Sequence, residues 1–508
     1  GTSGGTFSDS LTITSHGPRP TPTPSPTKVP SPTSTPSPGT VPLNTNWFFA
    51  EGRVGKGFRE YLTIGNPTTN ACSVTIQYLY TMDGSVTPAN KSVTVNVAAA
   101  SRLTESVNND LQLPDFSASA ASLAAIVTVN TQVTPNCAGV VAERPMYFTN
   151  FHGISSGTDV GGGTTMSNAY YFADVPTGAN YTSYLTVLNP NTVPANVVVS
   201  YFANGSRVQT QAVSLPAQTR GTIAPGTLTI PAHVAAVVTS NEPILVERPT
   251  YFTNVNGISG AYDVVGAQQT ASDWLFAEGY TGSGYQEYLT MANLDAVNSA
   301  AVTITLKSGT GATRATQISL GPQSQIIWNV NTANAFPGST PEVSAEVTAA
   351  SSGPGIVVQR EIYFTYKHTL PQQTVGGTDV MGQVGPAAHS AYSFAEGYTN
   401  IGYNEWLTIQ NPTTKDETIS VILVNGSGKT STQMFTVHAN SRFTQDINAL
   451  VQQIFNPGTS NSSNAVSMTV QTSDGSVFVA ERPMYWNTSG VSSFVTQGGS
   501  DVIGYVGG

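Results

Sequence analysis

Charge is scarce in this chain: Asp, Glu, Lys and Arg make up 9% of 508 residues, against roughly a quarter in an average soluble domain. Ser, Thr, Asn, Gly and small apolar residues dominate, so polarity is carried by hydroxyls and amides. The formal charge of −10 is spread thinly, and no run of Lys and Arg interleaved with aromatics occurs, which argues against nucleic acid as a partner. No apolar stretch reaches the 18 residues that a membrane-crossing helix requires. The opening residues carry neither a charged n-region nor an apolar h-region, the expectation for an already processed chain.

Cysteine is nearly absent. The two present, Cys72 and Cys137, fall in one part of the chain. If they pair, the bond closes a long loop worth about 4 kcal/mol on the chain-entropy estimate and fits an oxidising compartment; two buried thiols that never meet are the alternative. Six histidines, at 16, 152, 233, 368, 389 and 438, show no paired spacing for zinc. No nucleophile elbow, phosphate-binding loop or calcium loop appears. Helical periodicity is also missing, apart from "INALVQQIF" at 447–455.

What the chain does have is repetition. "VVAERPMYFTN" (140–150) returns as "ILVERPTYFTN" (244–254), "IVVQREIYFT" (356–365) and "VFVAERPMYWN" (477–487). Four units follow, at 44–166, 167–270, 271–386 and 387–508. They open on "WFFAEG", "YYFADV", "WLFAEG" and "YSFAEG", continue through "EYLTIGNP", "SYLTVLNP", "EYLTMANL" and "EWLTIQNP", and end on "TDVGG", "YDVVG", "TDVMG" and "SDVIG". The intervening runs are β-branched and aromatic, as strands require. Six to eight short strands per unit predict an all-β chain of four tandem Ig-like β-sandwich domains.

Ahead of the units, residues 1–16 alternate, with Phe7, Leu11 and Ile13 on one face, which predicts a lone strand. Residues 17–43 hold ten prolines and almost no large apolar side chain. Such a segment forms no core; as polyproline II it spans about 80 Å. Its Ser and Thr density suits O-glycosylation.

Several positions keep their chemistry from unit to unit. They are an acid (Glu51, Asp174, Glu278, Glu396), an Asn (Asn66, Asn189, Asn293, Asn411), an Arg (Arg144, Arg248, Arg360, Arg482), an Asp (Asp159, Asp263, Asp379, Asp501) and a Gly (Gly162, Gly266, Gly382, Gly504). A second acid, Glu60, Glu287 and Glu405, becomes Ser183 in the second unit while the Arg stays. The Arg is therefore expected to pair with the first acid, the closing Asp or both, as a clasp within each unit tying its first strand, last strand and exit turn, because a guanidinium fork holds several oxygens at once. Proline after the Arg suits an edge or bulge; the third unit places Glu361 there and Gln359 before the Arg. Calcium between the acids is a competing idea, opposed by the Arg among them. Fourfold recurrence favours architecture over the single specialised site of an enzyme, so no catalytic residue, metal or cofactor is expected.

The combination "FAEG…EYLT…NP…SR.T…AERPMYF…DV.G", over residues 46–506, resembles tandem repeats of large secreted or cell-surface bacterial proteins, often placed behind Pro/Thr-rich linkers. The resemblance implies location and architecture. The functional expectation is a structural subunit of an extracellular filament, pilus-like appendage or surface coat, whose partners are copies of itself or other surface proteins. Strand donation from residues 6–15 would assemble it, since an isolated strand is not stable alone. An adhesin stalk touching glycans and an accessory array of a secreted hydrolase are the alternatives.

Overall fold

The aromatic residue that opens each unit explains how each sandwich is pinned. In the computed structural model, which describes residues 41–333, 341–385 and 389–507, Trp47, Tyr170, Trp274 and Tyr392 are buried. A large ring with a polar tip needs a partner inside a core, and all four find the same one. Trp47 Nε1 donates to the Val140 carbonyl (3.1 Å), Tyr170 Oη to Ile244 (2.9 Å), Trp274 Nε1 to Ile356 (3.0 Å) and Tyr392 Oη to Phe478 (2.7 Å). The first strand is thereby locked to the entry of the "ERP" strand across the sandwich.

Among the described residues the chain is all-β and antiparallel, with short helices only. The third unit shows the plan most simply. One sheet runs in the order Thr313–Leu320, Ala300–Ser308, Val343–Ala349, Asp273–Phe276, Gln383–Val384; the other runs Ser324–Asn329, Tyr285–Asn293, Val357–Tyr366, Thr374–Met381. Alternation places Val302, Ile304 and Leu306 against Leu289 and Met291 in the core between them. The other units build comparable cores of their own. The helical pattern at 447–455 is realised as the helix Ile447–Phe455, capped by Asp446, whose side chain accepts from the Ala449 N–H.

The recurring Asn is a turn staple. Asn66 Nδ2 donates to the carbonyls of Asn70, Val97 and Ala98 while its Oδ1 accepts from the Thr68 N–H. Asn189, Asn293 and Asn411 hold the corresponding carbonyls of their own units. A carboxylate could not donate there, which is why the amide recurs.

Proline after the Arg splits one long strand in two. Val141–Glu143 and Met146–Phe151 flank Pro145, and Val479–Glu481 and Met484–Asn487 flank Pro483. With Glu361 in that place the third unit runs unbroken as Val357–Tyr366, because the restored N–H lets the ladder continue.

The four units close into a ring. One late strand of each, Ile154–Thr158, Ile258–Tyr262, Thr374–Met381 and Gln497–Ser500, lies against the others around the centre. The approach requires missing side chains: a Cβ on Gly260 would sit 3.1 Å from Gly376 Cα, one on Gly376 3.0 Å from Gly498 Cα, and one on Gly498 2.8 Å from Ser156 Oγ. Residues 6–15, where strand donation was expected from Phe7, Leu11 and Ile13, and the Pro-rich segment up to residue 40 lie outside the described residues.

Candidate functional site

Arg144, Arg248, Arg360 and Arg482 have no solvent exposure. A buried guanidinium must be paired, and each finds its carboxylates in the next unit instead of its own. Arg144 Nη2 reaches Asp263 (2.5 Å) and Glu247 (3.1 Å) of the second unit. Arg248 pairs with Asp379 of the third, and Arg360 with Asp501 and Glu481 of the fourth. Arg482 returns to Asp159 (2.5 Å) and Glu143 (2.7 Å) of the first. The clasp expected inside a unit is therefore a clasp between units. Its partner is the closing Asp together with the Glu that precedes the neighbour's own Arg, and the first acid takes no part in that pair.

The first acid belongs to a second clasp at the same seam. Glu51 pairs with Arg220, Glu278 with Arg442 (2.7 Å) and Glu396 with Arg102. In each case the Arg Nε also donates to the carbonyl just before the acid, of Ala50, Ala277 or Ala395. The "ERP" Glu adds a third tie: Glu247 Oε1 accepts from Ala50 N–H, Glu481 from Ala277 N–H and Glu143 from Ala395 N–H, each at 2.7 Å. Sequence reasoning missed Glu143, Glu247 and Glu481 and the Arg of "SR.T". Both recur in three of four units, and that recurrence was the available signal.

The seam between the second and third units is the variant one. Gln359 Oε1 still accepts from the Ala173 and Asp174 N–H groups, while its Nε2 donates to Asp379. Gln325 stands in place of the second Arg and donates to Asp174 at 3.3 Å. Asp174 is compensated by His233 at 2.7 Å. Burial pulls the His233 pKa down, but the hydrogen bond and charge of Asp174 outweigh it and lift the ring to about 9.

Acids outnumber cations at every seam. Beside Arg144 and Arg220 stand Glu51, Glu60, Glu247 and Asp263; beside Arg482 and Arg102 stand Glu143, Asp159, Glu396 and Glu405. Burial raises Glu60, Glu143, Glu287, Glu361 and Glu405 to about 8; Arg144, Arg482 and Arg360 oppose the rise for Glu60, Glu143, Glu405 and Glu287, and Arg248 opposes it for Glu361. Burial thus favours the protonated form of these carboxyls, since a buried excess of negative charge has no solvent to stabilise it, while the Arg482 and Ala395 N–H bonds to Glu143 favour its charged form.

The second acid also explains a paired exchange. A Cβ on Gly52 would lie 2.8 Å from the Glu60 carboxyl, and Gly279 and Gly397 crowd Glu287 and Glu405 in the same way. In the second unit Ser183 vacates that space, and Val175 stands where the others have glycine. Ser183 Oγ donates to the Pro176 carbonyl at 2.6 Å.

Two cavities lie near these clasps. An axial one of about 230 Å³ is lined by Val160, Val264, Val380 and Val502, one from each unit, with Asp159, Asp263 and Asp501 in its wall. The other, about 740 Å³, lies between the fourth and first units beside Arg102 and Glu396. Among the described residues no group of three or more His, Cys, Asp or Glu is placed to hold a metal ion, and no helix is long and apolar enough to cross a membrane. Cys72 and Cys137 are joined in a disulfide.

No protein-family model matches the chain, and no curated protein matches it. Among solved structures, the crystal structure of Thermotoga maritima 1070 aligns over 20% of this chain and 96% of its own, at 15% identity and a TM-score of 0.19. The tetra-tandem repeat in the extending region of a large adhesion protein aligns over 87% of this chain and 98% of its own, at 10% identity and a TM-score of 0.11.

Proposed function

We propose that this protein is a structural component of an extracellular or cell-surface assembly, in which the four-unit ring is a rigid block and the proline-rich segment is its connector. The observation that carries this reading is the use made of the recurring Glu, Asp and Arg side chains. They are spent on one another across four seams, and buried pairs of this kind fix geometry more than they add stability.

Closure of the ring leaves assembly to its outer edges. The strands Ala89–Val97, Ser206–Leu215, Thr313–Leu320 and Thr430–Val437 each end a sheet, and an unpaired edge accepts an added strand. Four such edges and one alternating segment at 6–15 suit donation between copies. Negative-stain imaging of the full chain against a chain lacking residues 1–16 tests this. Filaments or sheets from the first and single rings from the second are expected. Single rings from both at every concentration, or turnover of a polysaccharide by the chain alone, overturn the reading.

A second reading, a display head that touches glycans, draws support from the larger of the two cavities.

A further inference from the structure

The groove between the fourth and first units differs in filling from two of the other seams. Between the first and second units, Phe151 and His152 pack over Tyr251, with ring centroids 4.8 and 5.7 Å away, and His152 Nε2 lies 3.4 Å from Tyr184 Oη. Between the third and fourth, Tyr366 stacks on Tyr485 at 4.0 Å and its hydroxyl accepts from Trp406 Nε1 at 3.0 Å. The corresponding residues of the first unit are Tyr147 and Tyr61. The hairpin of the fourth unit that faces them contributes Phe494, which packs with Tyr147 and Trp486 at the base of the seam, with Arg59 4.2 Å above its ring and Phe116 beside it. The space left is the 740 Å³ groove, walled by Tyr61, Tyr147, Tyr398 and Tyr403. Its volume falls within the roughly 300–1,000 Å³ of small-molecule sites.

We infer that this groove binds a neutral oligosaccharide, with the Tyr398–Tyr403 corner stacking on a pyranose and the Asn461 amide bonding its hydroxyls. Three observations select that chemistry. Tyr398 and Tyr403 meet at 90° with centroids 4.8 Å apart. A corner of two perpendicular rings receives a flat, disc-shaped ring on one face and its edge on the other, whereas a polyproline helix calls for an open aromatic groove. On the rim, Tyr398 Oη donates to Asn461 Oδ1 (2.8 Å), which also accepts from Asn400 Nδ2 (3.1 Å); Asn400 is otherwise engaged with Tyr398 Oη, the Thr459 carbonyl and the Ile401 N–H, so the exposed Asn461 Nδ2 is the amide donor left for a polyol. The charged groups in the wall are already neutralised, Arg102 by Glu396 and Arg59 by Asp115, so no charged ligand is called for. The inference goes beyond the structural role proposed above and does not depend on it, since single rings would bind as well as assembled ones.

The test is calorimetric titration of the full-length protein with maltohexaose, cellohexaose, xylohexaose and chitohexaose. Saturable binding of at least one, at about 1 mM or tighter, is expected. Tyr398→Ala and Asn461→Ala should each weaken it by roughly tenfold or more, while Tyr184→Ala at the filled seam leaves it unchanged. Asn461 lies on the exposed rim, so its variant keeps the test valid if loss of Tyr398 disturbs the seam. Absence of binding by all four sugars, binding indifferent to both rim variants, or displacement of the sugar by a synthetic peptide of residues 17–43 overturns the inference.

Discussion

Arg482 of the fourth unit donates to Glu143 of the first, across 339 positions of sequence and 2.7 Å of space. That bond repeats those of Arg144 with Glu247 and Arg360 with Glu481, and it turns a chain of four into a closed ring. Neither residue is exposed beyond 2%. Taking two charges out of water costs several kcal/mol per ion, which only their mutual pairing offsets.

Removing the cation alone should therefore cost more than removing the whole cluster. Arg482→Leu leaves Glu143 and Asp159 buried without their paired cation, with Arg102 engaged by Glu396, and a loss of roughly 3–5 kcal/mol is expected. The triple variant Arg482→Leu, Glu143→Leu, Asp159→Leu should recover part of that loss. Urea denaturation measures both, and small-angle scattering should show the single variant opening at the fourth-to-first seam.

Ring stability should fall as pH rises from 5 to 8. Glu60, Glu143, Glu287, Glu361 and Glu405 titrate at about 8 in the fold, chiefly through burial, against an ordinary value near 4.5. Below that ordinary value both states hold the proton and the contribution is complete. Above it the unfolded chain releases protons that the folded one keeps, so stability declines until the folded groups titrate as well. Urea midpoints at pH 5, 6.5, 8, 9 and 10 check this: a steady descent to about pH 8, continued more weakly to about pH 9 as His233 loses its proton, is expected, and a rise over that window would contradict it. Asp83, drawn below its ordinary value by Arg53 and Lys56 against a smaller pull from burial than their sum, acts only near pH 4 and lower.

A swap copied from the second unit tests the glycine–acid pairing. Gly52→Val forces a side chain into the Glu60 carboxyl and should destabilise by roughly 1–3 kcal/mol, as overpacking does. Adding Glu60→Ser should restore part of the loss, because Val175 and Ser183 already share that arrangement, while Leu123 Cγ, 2.8 Å from the same Cβ, stays in place. Thermal melts of the wild type, both single variants and the double variant measure the coupling.

Reduction should weaken the first unit selectively. The Cys72–Cys137 bond spans 65 positions, and its loss is expected to cost about 4 kcal/mol. Hydrogen exchange with and without reductant should show faster exchange in Cys72–Met82 and Ala120–Val129, with the third unit unchanged.

Much of the fold was legible beforehand, for a reason visible in individual residues. Alternation at Val302, Ile304 and Leu306 demands a strand with one buried face, and the apolar spacing of "INALVQQIF" demands a helix. The clasp was legible in its membership of Arg and Asp but not in its pairing. Arg144 with Asp159 and Arg144 with Asp263 leave the same imprint on four equivalent units, so recurrence alone does not separate them. Glu143 and Arg102 were overlooked because they read as parts of the phrases "AERP" and "SRLT".

By itself the sequence determined the period, the strands, the aromatic pins and the shortage of charge, since each is local or repeats at fixed spacing. Tertiary structure decided which unit answers which. An arginine selects the carboxylates that burial brings within reach, and that selection depends on glycine-lined inner strands packing around a common centre, a long-range arrangement that no single stretch of residues encodes.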